Sequence, residues 1–444
     1  VEAHVQRSAE EGVFEEAPSE GGCSSPQEAL ARLEAAFEHL RQHFIHRDGV
    51  LEQILYALLT REHALIIGDR GLAKSRLARS VFAHIRDDRE PFSLQLTRTT
   101  SVGQLVGGLD LREFEKGAYV HNLDGYIVHA HFAFLDELFD ANDFVLRALN
   151  GILNERMFLN GPQMEKAELH TAIATTNYIR DTRESRAILD RFLFKSIVHR
   201  AESALERLQI RREFMQSHGS TIAGSPTGGL AYEDIRQLSA IILGEDPEHS
   251  IEVPAHILVI LDEMISTFEK RMNESILSGE RFVFSDRTKN KAIQVLMASA
   301  LRANRYLVEM KDLASLHFIV PTIGSNEEES VFDDAMASTL RQFPAQERES
   351  IDRVAAIMDL LNEFVARHAA GELEEPSWAD RVRSQVDKLL FRKHEVLTLG
   401  TLMDEARNLA AEAASTRKLK EDLISAIGTA HERHHIRFEQ RLHK

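Results

Sequence analysis

The chain has 444 residues, 43% of them hydrophobic, and carries 53 Lys and Arg against 70 Asp and Glu, a formal net charge of −17 at pH 7. At about 150 residues per domain this is two or three domains with ordinary cores, and the negative field disfavours a nucleic-acid partner. No run of about 20 apolar residues exists to span a bilayer, the acidic first residues lack the pattern of a secretory leader, and the single cysteine, Cys23, excludes a disulfide framework, so a reducing cytoplasm is the expected compartment.

Residues 1–26, with glutamate pairs, Gly21-Gly22, Ser24-Ser25 and Pro26, have the composition of a disordered acidic tail. The spacing of Leu30, Leu33, Phe37, Leu40 and Phe44 then predicts a helix, and a second, over 50–59, follows the His46-Arg47-Asp48-Gly49 break. Residues 64–67 read as a buried strand and 75–85 as a helix, joined by Gly68-Asp69-Arg70-Gly71-Leu72-Ala73-Lys74. This joint has the character of a phosphate-binding loop. Gly68 and Gly71 allow a tight turn that aims backbone N–H groups and a helix N-terminus at a polyphosphate, while Lys74 adds a positive charge and Ser75 a hydroxyl for magnesium. The consensus places glycine before the lysine; Ala73 is compatible there only if its φ stays negative.

Residues 91–96 form a second strand candidate, and strands alternating with helices predict a parallel sheet covered on both faces. The stretch 101–125, with Gly103, Gly107, Gly108, Gly117 and Gly125, is either a short helix with a hairpin-like excursion or a long loop. His131 to Leu135 read as a strand ending in Asp136-Glu137, about 60 residues after the loop. Both carboxylates then stand at the sheet edge where the loop opens, Asp136 to hold magnesium through its water shell and Glu137 to polarise the attacking water. The plainer reading is a strand followed by an acidic helix cap; the upstream loop favours the first. A helix over 144–157 and a hairpin over 158–169 lead to the strand 172–176, which ends in Asn177. Its amide could hold the water against a γ-phosphate or be only a turn former. Arg180, Arg183, Arg186 and Arg191 follow; a guanidinium there could reach a neighbouring subunit's γ-phosphate or pair at the surface with Asp190 or Glu184, and spacing does not separate these.

The segments REHALIIGDRGLAKSRLA, GYIVHAHFAFLDELFDA, LRALNGILNERMFLNG, TAIATTN and AILDRFLFK, in this order, resemble the AAA+ ATPases and within them the MoxR family, across about residues 44–316. The resemblance implies an α/β P-loop AAA+ core, a parallel sheet with helices on both faces, followed by an all-α lid and an all-α C-terminal region. It implies ATP and Mg2+ as cofactors, a Walker A loop of Gly68, Asp69, Arg70, Gly71, Leu72, Ala73, Lys74, Ser75 and Arg76, and a Walker B pair of Asp136 and Glu137, with Ser75 and Asp136 on the metal. Asn177 takes the sensor 1 place, Arg191 that of the arginine acting in trans, and Arg287 that of sensor 2, contacting nucleotide as the lid closes. MoxR proteins commonly carry Leu-Ala-Lys or Ile-Ala-Lys in the loop, so Ala73 fits this family, and Ala73-Lys74-Ser75 with Ser285-Asp286-Arg287 point to the RavA-like branch. Two departures stand out: Asp69-Arg70 replace the usual Pro-Pro, and Leu138-Phe139 replace Asn-Arg. Asp69 sets a like charge near phosphate unless Arg70 compensates it. The family further implies a homo-oligomeric, hexameric ring whose pore is lined by the 117–125 and 158–169 insertions, and a protein client remodelled in a chaperone-like role, often with a von Willebrand factor A domain partner.

The expected domains are thus 27–200, a lid at 201–327 and a C-terminal region at 328–444. In the lid, 205–215, 232–243, 254–268 and 289–303 read as amphipathic helices, with Ser285 as a helix cap. Beyond it Ile351, Val354, Met358, Leu361 and Val365, then Leu402, Leu409, Leu423, Ile427 and Phe438 past Pro376-Ser377-Trp378, predict two or three long helices in a hairpin that either binds a partner or caps the lid. His431, His434 and His435 share a helical face, either solvated or metal-binding. A nucleotide-gated binding scaffold with little turnover is the alternative to a ring ATPase. A nucleic-acid motor ranks last, because the 117–125 excursion offers Tyr119, His121 and Asp124 with only Lys116 nearby.

Overall fold

The computed structural model describes residues 25–117, 119–222, 229–275, 282–370 and 398–440. Expectations for 1–24, Cys23 included, and for Pro376-Ser377-Trp378 lie outside the described residues. Ser25 caps the first helix: its Oγ accepts from the Glu28 N–H at 3.3 Å and Glu28 reaches back to the Ser25 N–H at 3.2 Å, a capping box that starts α1 (Pro26–His43). Then comes α2 (Asp48–Thr60), buried from Val50 to Thr60 except at Glu52.

β1 (Ala64–Gly68), α3 (Lys74–Ala83), β2 (Ile85–Arg86) and β3 (Phe92–Gln95) lead into α4 (Val102–Val106) and α5 (Leu111–Glu115). β4 (Phe132–Asp136), α6 (Asp143–Asn154), β5 (Met157–Asn160), β6 (Gln163–Lys166), β7 (Thr171–Thr176), α7 (Arg183–Leu189) and β8 (Phe194–Val198) complete the core. The five-stranded sheet runs β3-β4-β7-β1-β8, every neighbour parallel, with Ile67 opposite Thr176 and Gly68 opposite Val198. All six residues of β7 are buried, as an inner strand covered on both faces requires.

The glycine-rich stretch is the helix-and-excursion form: after α4, an antiparallel bridge between Leu109 and His121 closes the loop that carries α5. It is tied to the β5–β6 hairpin. Asn160 accepts from the His121 N–H at 2.6 Å and donates to the His121 carbonyl at 3.0 Å, while Gly161, at φ 61°, lies where a Cβ would come within 2.3 Å of the Tyr119 carbonyl.

Downstream are α8 (Ala204–Ser217), β9 (Leu230–Ala231), α9 (Tyr232–Leu243), α10 (Ala255–Ser275), α11 (Asp286–Arg302), a 3-10 segment Met310–Phe318, α12 (Asn326–Gln342) and α13 (Ala345–Ala369), then helices Leu399–Asn408 and Ala414–His434. β9 pairs with β2 through two residues. Ser285 caps α11 by accepting from the Thr288 N–H. One apolar core joins α1, α2 and one face of the sheet (Ile66, Phe134, Ile173) to α9–α12. A second packs the other face (Leu65, Leu135, Ala174) under α6. A third, centred on Leu361, Phe364, Leu402 and Leu423, joins α13 to the two last helices, the expected helical hairpin.

Candidate nucleotide site

Because β1 lies between β7 and β8, the chain leaving its C-terminal end enters the crevice where a parallel sheet of this kind takes its ligand. Gly68 passes so close to β8 that a Cβ there would approach the Val198 carbonyl to 2.6 Å, and Gly71 turns at φ 82°. Ala73 has φ 59° and ψ 19°, a left-handed residue where a negative φ was expected. The loop needs that turn to deliver the first N–H groups of α3 inward, and an alanine bears it at a cost of roughly 1–2 kcal/mol. Leu72, packed on the main core, and the 2.9 Å bond from the Leu77 N–H to the Ala73 carbonyl hold it in place.

Lys74, buried, donates to the Gly68 carbonyl, to the Asp69 carbonyl at 2.9 Å and to Asn177 Oδ1 at 2.9 Å. Asn177 Nδ2 donates in turn to both Glu137 oxygens, at 2.6 and 2.7 Å. Ser75 Oγ lies 3.1 Å from Asp136 Oδ2, and Thr175 donates its hydroxyl to the other Asp136 oxygen. Glu137 is itself left-handed (φ 56°, ψ 50°), a bend that turns its carboxylate off the line of β4 toward β7. Burial lowers the Lys74 ammonium below its ordinary value, against the opposing pull of Glu137 and Asp136. The Ser75–Asp136 pair suits Mg2+: two oxygens each about 2.1 Å from an octahedral ion and at right angles stand about 3.0 Å apart.

The sequence-predicted loop residues, Asp136, Glu137 and Asn177 therefore converge. Others are placed differently. Asp69 pairs with Arg200 at 3.3 Å, so the compensating cation comes from beyond β8 rather than from Arg70. The Arg76 guanidinium is turned onto α8, bidentate to Glu213 at 2.8 and 3.1 Å, bonded to Ser217 and to the Ser220 carbonyl, and set over the Phe44 ring. Arg191 donates to Asn150 at 2.9 Å and pairs with Asp190 at 3.1 Å. Arg287 donates to Asn154 and meets Glu62 at 3.4 Å, the carboxylate that Lys291 holds at 2.9 Å. Glu62 stands two residues before β1 and Arg191 three before β8, so both arginines lie at the sheet edge opposite Lys74, a strand length of about 17 Å away.

Thr175 and a neighbouring cavity were not found from the sequence. The cavity, of about 300 Å³, is lined by His46, Arg47, Val50, Val198, His199 and Ile210 among others, and Val198 is the register partner of Gly68. The cavity's sequence cue was the break between the first two helices, and that of Thr175 its place in the strand that ends at Asn177.

A parallel sheet in this order, with a phosphate loop on β1 and acids at the end of β4, is the AAA+ form of the P-loop fold. Residues 31–221 match the family described as the MoxR domain in the MoxR-vWA-beta-propeller ternary systems, and residues 260–331 match an AAA lid domain. The chain belongs to the MoxR family of AAA+ ATPases. It is similar to two uncharacterized proteins of Methanocaldococcus jannaschii: MJ0812, 26% identical over 406 residues, 89% of this chain and 96% of that one, and MJ0079, 27% identical over 296 residues, 66% and 70%. It also resembles the structural protein ORF618 of Acidianus two-tailed virus, 25% identical over 186 residues, 41% of this chain and 30% of that one. In fold it is similar to a proposed ATPase from Cytophaga hutchinsonii, with a TM-score of 0.54 and 17% identity over 71% of this chain and 95% of that one.

Proposed function

We propose that the protein binds ATP with Mg2+ and hydrolyses it between neighbouring copies of itself in a ring, coupling turnover to the remodelling or maturation of a protein client. The observation that carries this reading is the Lys74–Asn177–Glu137 chain beside Ser75 and Asp136, all at one sheet edge. Loop N–H groups and Lys74 would take the phosphates, and the 300 Å³ cavity beside Gly68 would take the base. Ser75 and Asp136 would hold Mg2+, which neutralises phosphate charge. Glu137 would accept the proton of the attacking water while Asn177 fixes that water against the γ-phosphate.

Arg191 and Arg287 stand too far from their own loop to serve it, which favours their serving a second copy's site. The MoxR-vWA-beta-propeller systems named by the matching family support a von Willebrand factor A domain partner, and we place the protein in the cytoplasm. No described helix is long and apolar enough to cross a membrane.

The test is steady-state ATP hydrolysis against protein concentration, for the wild type and Arg191→Ala. Specific activity that rises with concentration and collapses in the variant is the expected result. ATP bound without Mg2+-dependent hydrolysis at any concentration would replace the motor with a nucleotide-gated scaffold.

A further inference from the structure

Away from the nucleotide, one group of histidine and carboxylate donors among the described residues is close enough to share an ion: ligand atoms of Asp87, Asp88 and His131 all lie within 4.8 Å of one another. Asp87 and Asp88 directly follow β2, and His131 directly precedes β4. His131 Nδ1 stands 2.9 and 3.0 Å from the two Asp87 oxygens. The set is held rigidly. The Asp87 side chain is 4% exposed and that of His131 is 11% exposed. The His131 ring stacks on Tyr232 at 3.9 Å and 17°, and Tyr232 meets Phe132 edge-on. The Arg89 guanidinium makes its direct contacts with Glu168 and the His129 carbonyl, its charge also acts on Asp88, and its backbone N–H donates to Asp87 at 3.3 Å.

We propose that Asp87, Asp88 and His131 form a second divalent-cation site, for Mn2+ or Zn2+, that staples the turn after β2 to the start of β4. Two donors each about 2.1 Å from such an ion and at right angles stand about 3.0 Å apart, the spacing found between His131 and Asp87. One imidazole with two carboxylates suits these ions better than Mg2+, and three protein donors leave positions for water. Asp88 is exposed, so an ion reaches the site from solvent. The site is independent of nucleotide: β4 separates it from Asp136, and the Ser75–Asp136 pair offers no nitrogen.

That nitrogen makes the site distinguishable. Mn2+ titrated into the full chain is followed by electron paramagnetic resonance, with pulsed detection of ¹⁴N coupling. The expected result is a nitrogen-coupled Mn2+ that survives in Asp136→Asn and whose affinity falls more than about tenfold in Asp88→Asn. Asp88→Asn removes a surface carboxylate, so its fold is retained, and His131→Gln is the second variant, in which the nitrogen coupling is lost. No nitrogen coupling in the wild type, or Mn2+ binding abolished by Asp136→Asn alone, overturns the proposal.

Discussion

Glu137 and Asn177 face one another through two hydrogen bonds to a single amide, so the carboxylate can be changed without dismantling the phosphate loop. Glu137→Gln is expected to bind ATP as the wild type does and to lose turnover by about 10²–10⁴-fold, the usual worth of a general base. Phosphate release measured beside equilibrium binding of labelled nucleotide separates the two effects. Ala73→Gly is expected to raise stability by about 1 kcal/mol, since the strain of a left-handed alanine exceeds the entropy an added glycine gives the unfolded chain; a higher urea midpoint with an unchanged slope checks it. At this scale the sequence was informative wherever chemistry sits in one short run, as in Lys74-Ser75 and Asp136-Glu137. It was misleading where a side chain answers to something remote. Arg76 sits in the motif, yet its guanidinium is claimed by Glu213, 137 residues further on.

Among the elements, α8 depends on that pair most. Leu205, Phe214 and Met215 are exposed and Glu213 is its buried residue, so the helix is held by an ion pair rather than by an apolar face. Arg76→Ala is expected to cost about 2 kcal/mol, as loss of hydrogen bonds to a charged group does, and to speed hydrogen exchange in α8 selectively. Burial pushes the Glu213 carboxyl up, but the bonds and charge of Arg76 outweigh it and hold it below its ordinary value of 4.5. Its contribution is therefore complete above pH 4.5 and disappears as pH falls through the lower folded value. Most of the long helices and four of the five main strands were legible from periodicity, whereas β8 and α12 were not read from the sequence. The two-residue strands β2 and β9 and the 3-10 segment Met310–Phe318 were not, because pairing and packing with distant chain, rather than local pattern, create them.

Across the whole molecule, His63 and His170 are buried between the sheet and its helices, and burial lowers both far below the ordinary 6.5, with nearby Arg156 acting the same way. They stay neutral when folded and gain protons when unfolded, so the fold weakens as pH drops below 6.5. The pair together predict a slope on the order of 3 kcal/mol per pH unit between about pH 6 and 5. Urea denaturation across that range measures it, and His170→Gln is expected to roughly halve the slope.

Glu62 answers Arg287 and Lys291 of α11 from the position just ahead of β1. Under the proposed function, a client tugging on the lid would therefore pull on one end of a stiff rod whose other end is Gly68, and the grip on a bound triphosphate would register the load. Reciprocity would then require the converse: nucleotide at Gly68 would change how hard the lid can be pulled before Glu62 lets go.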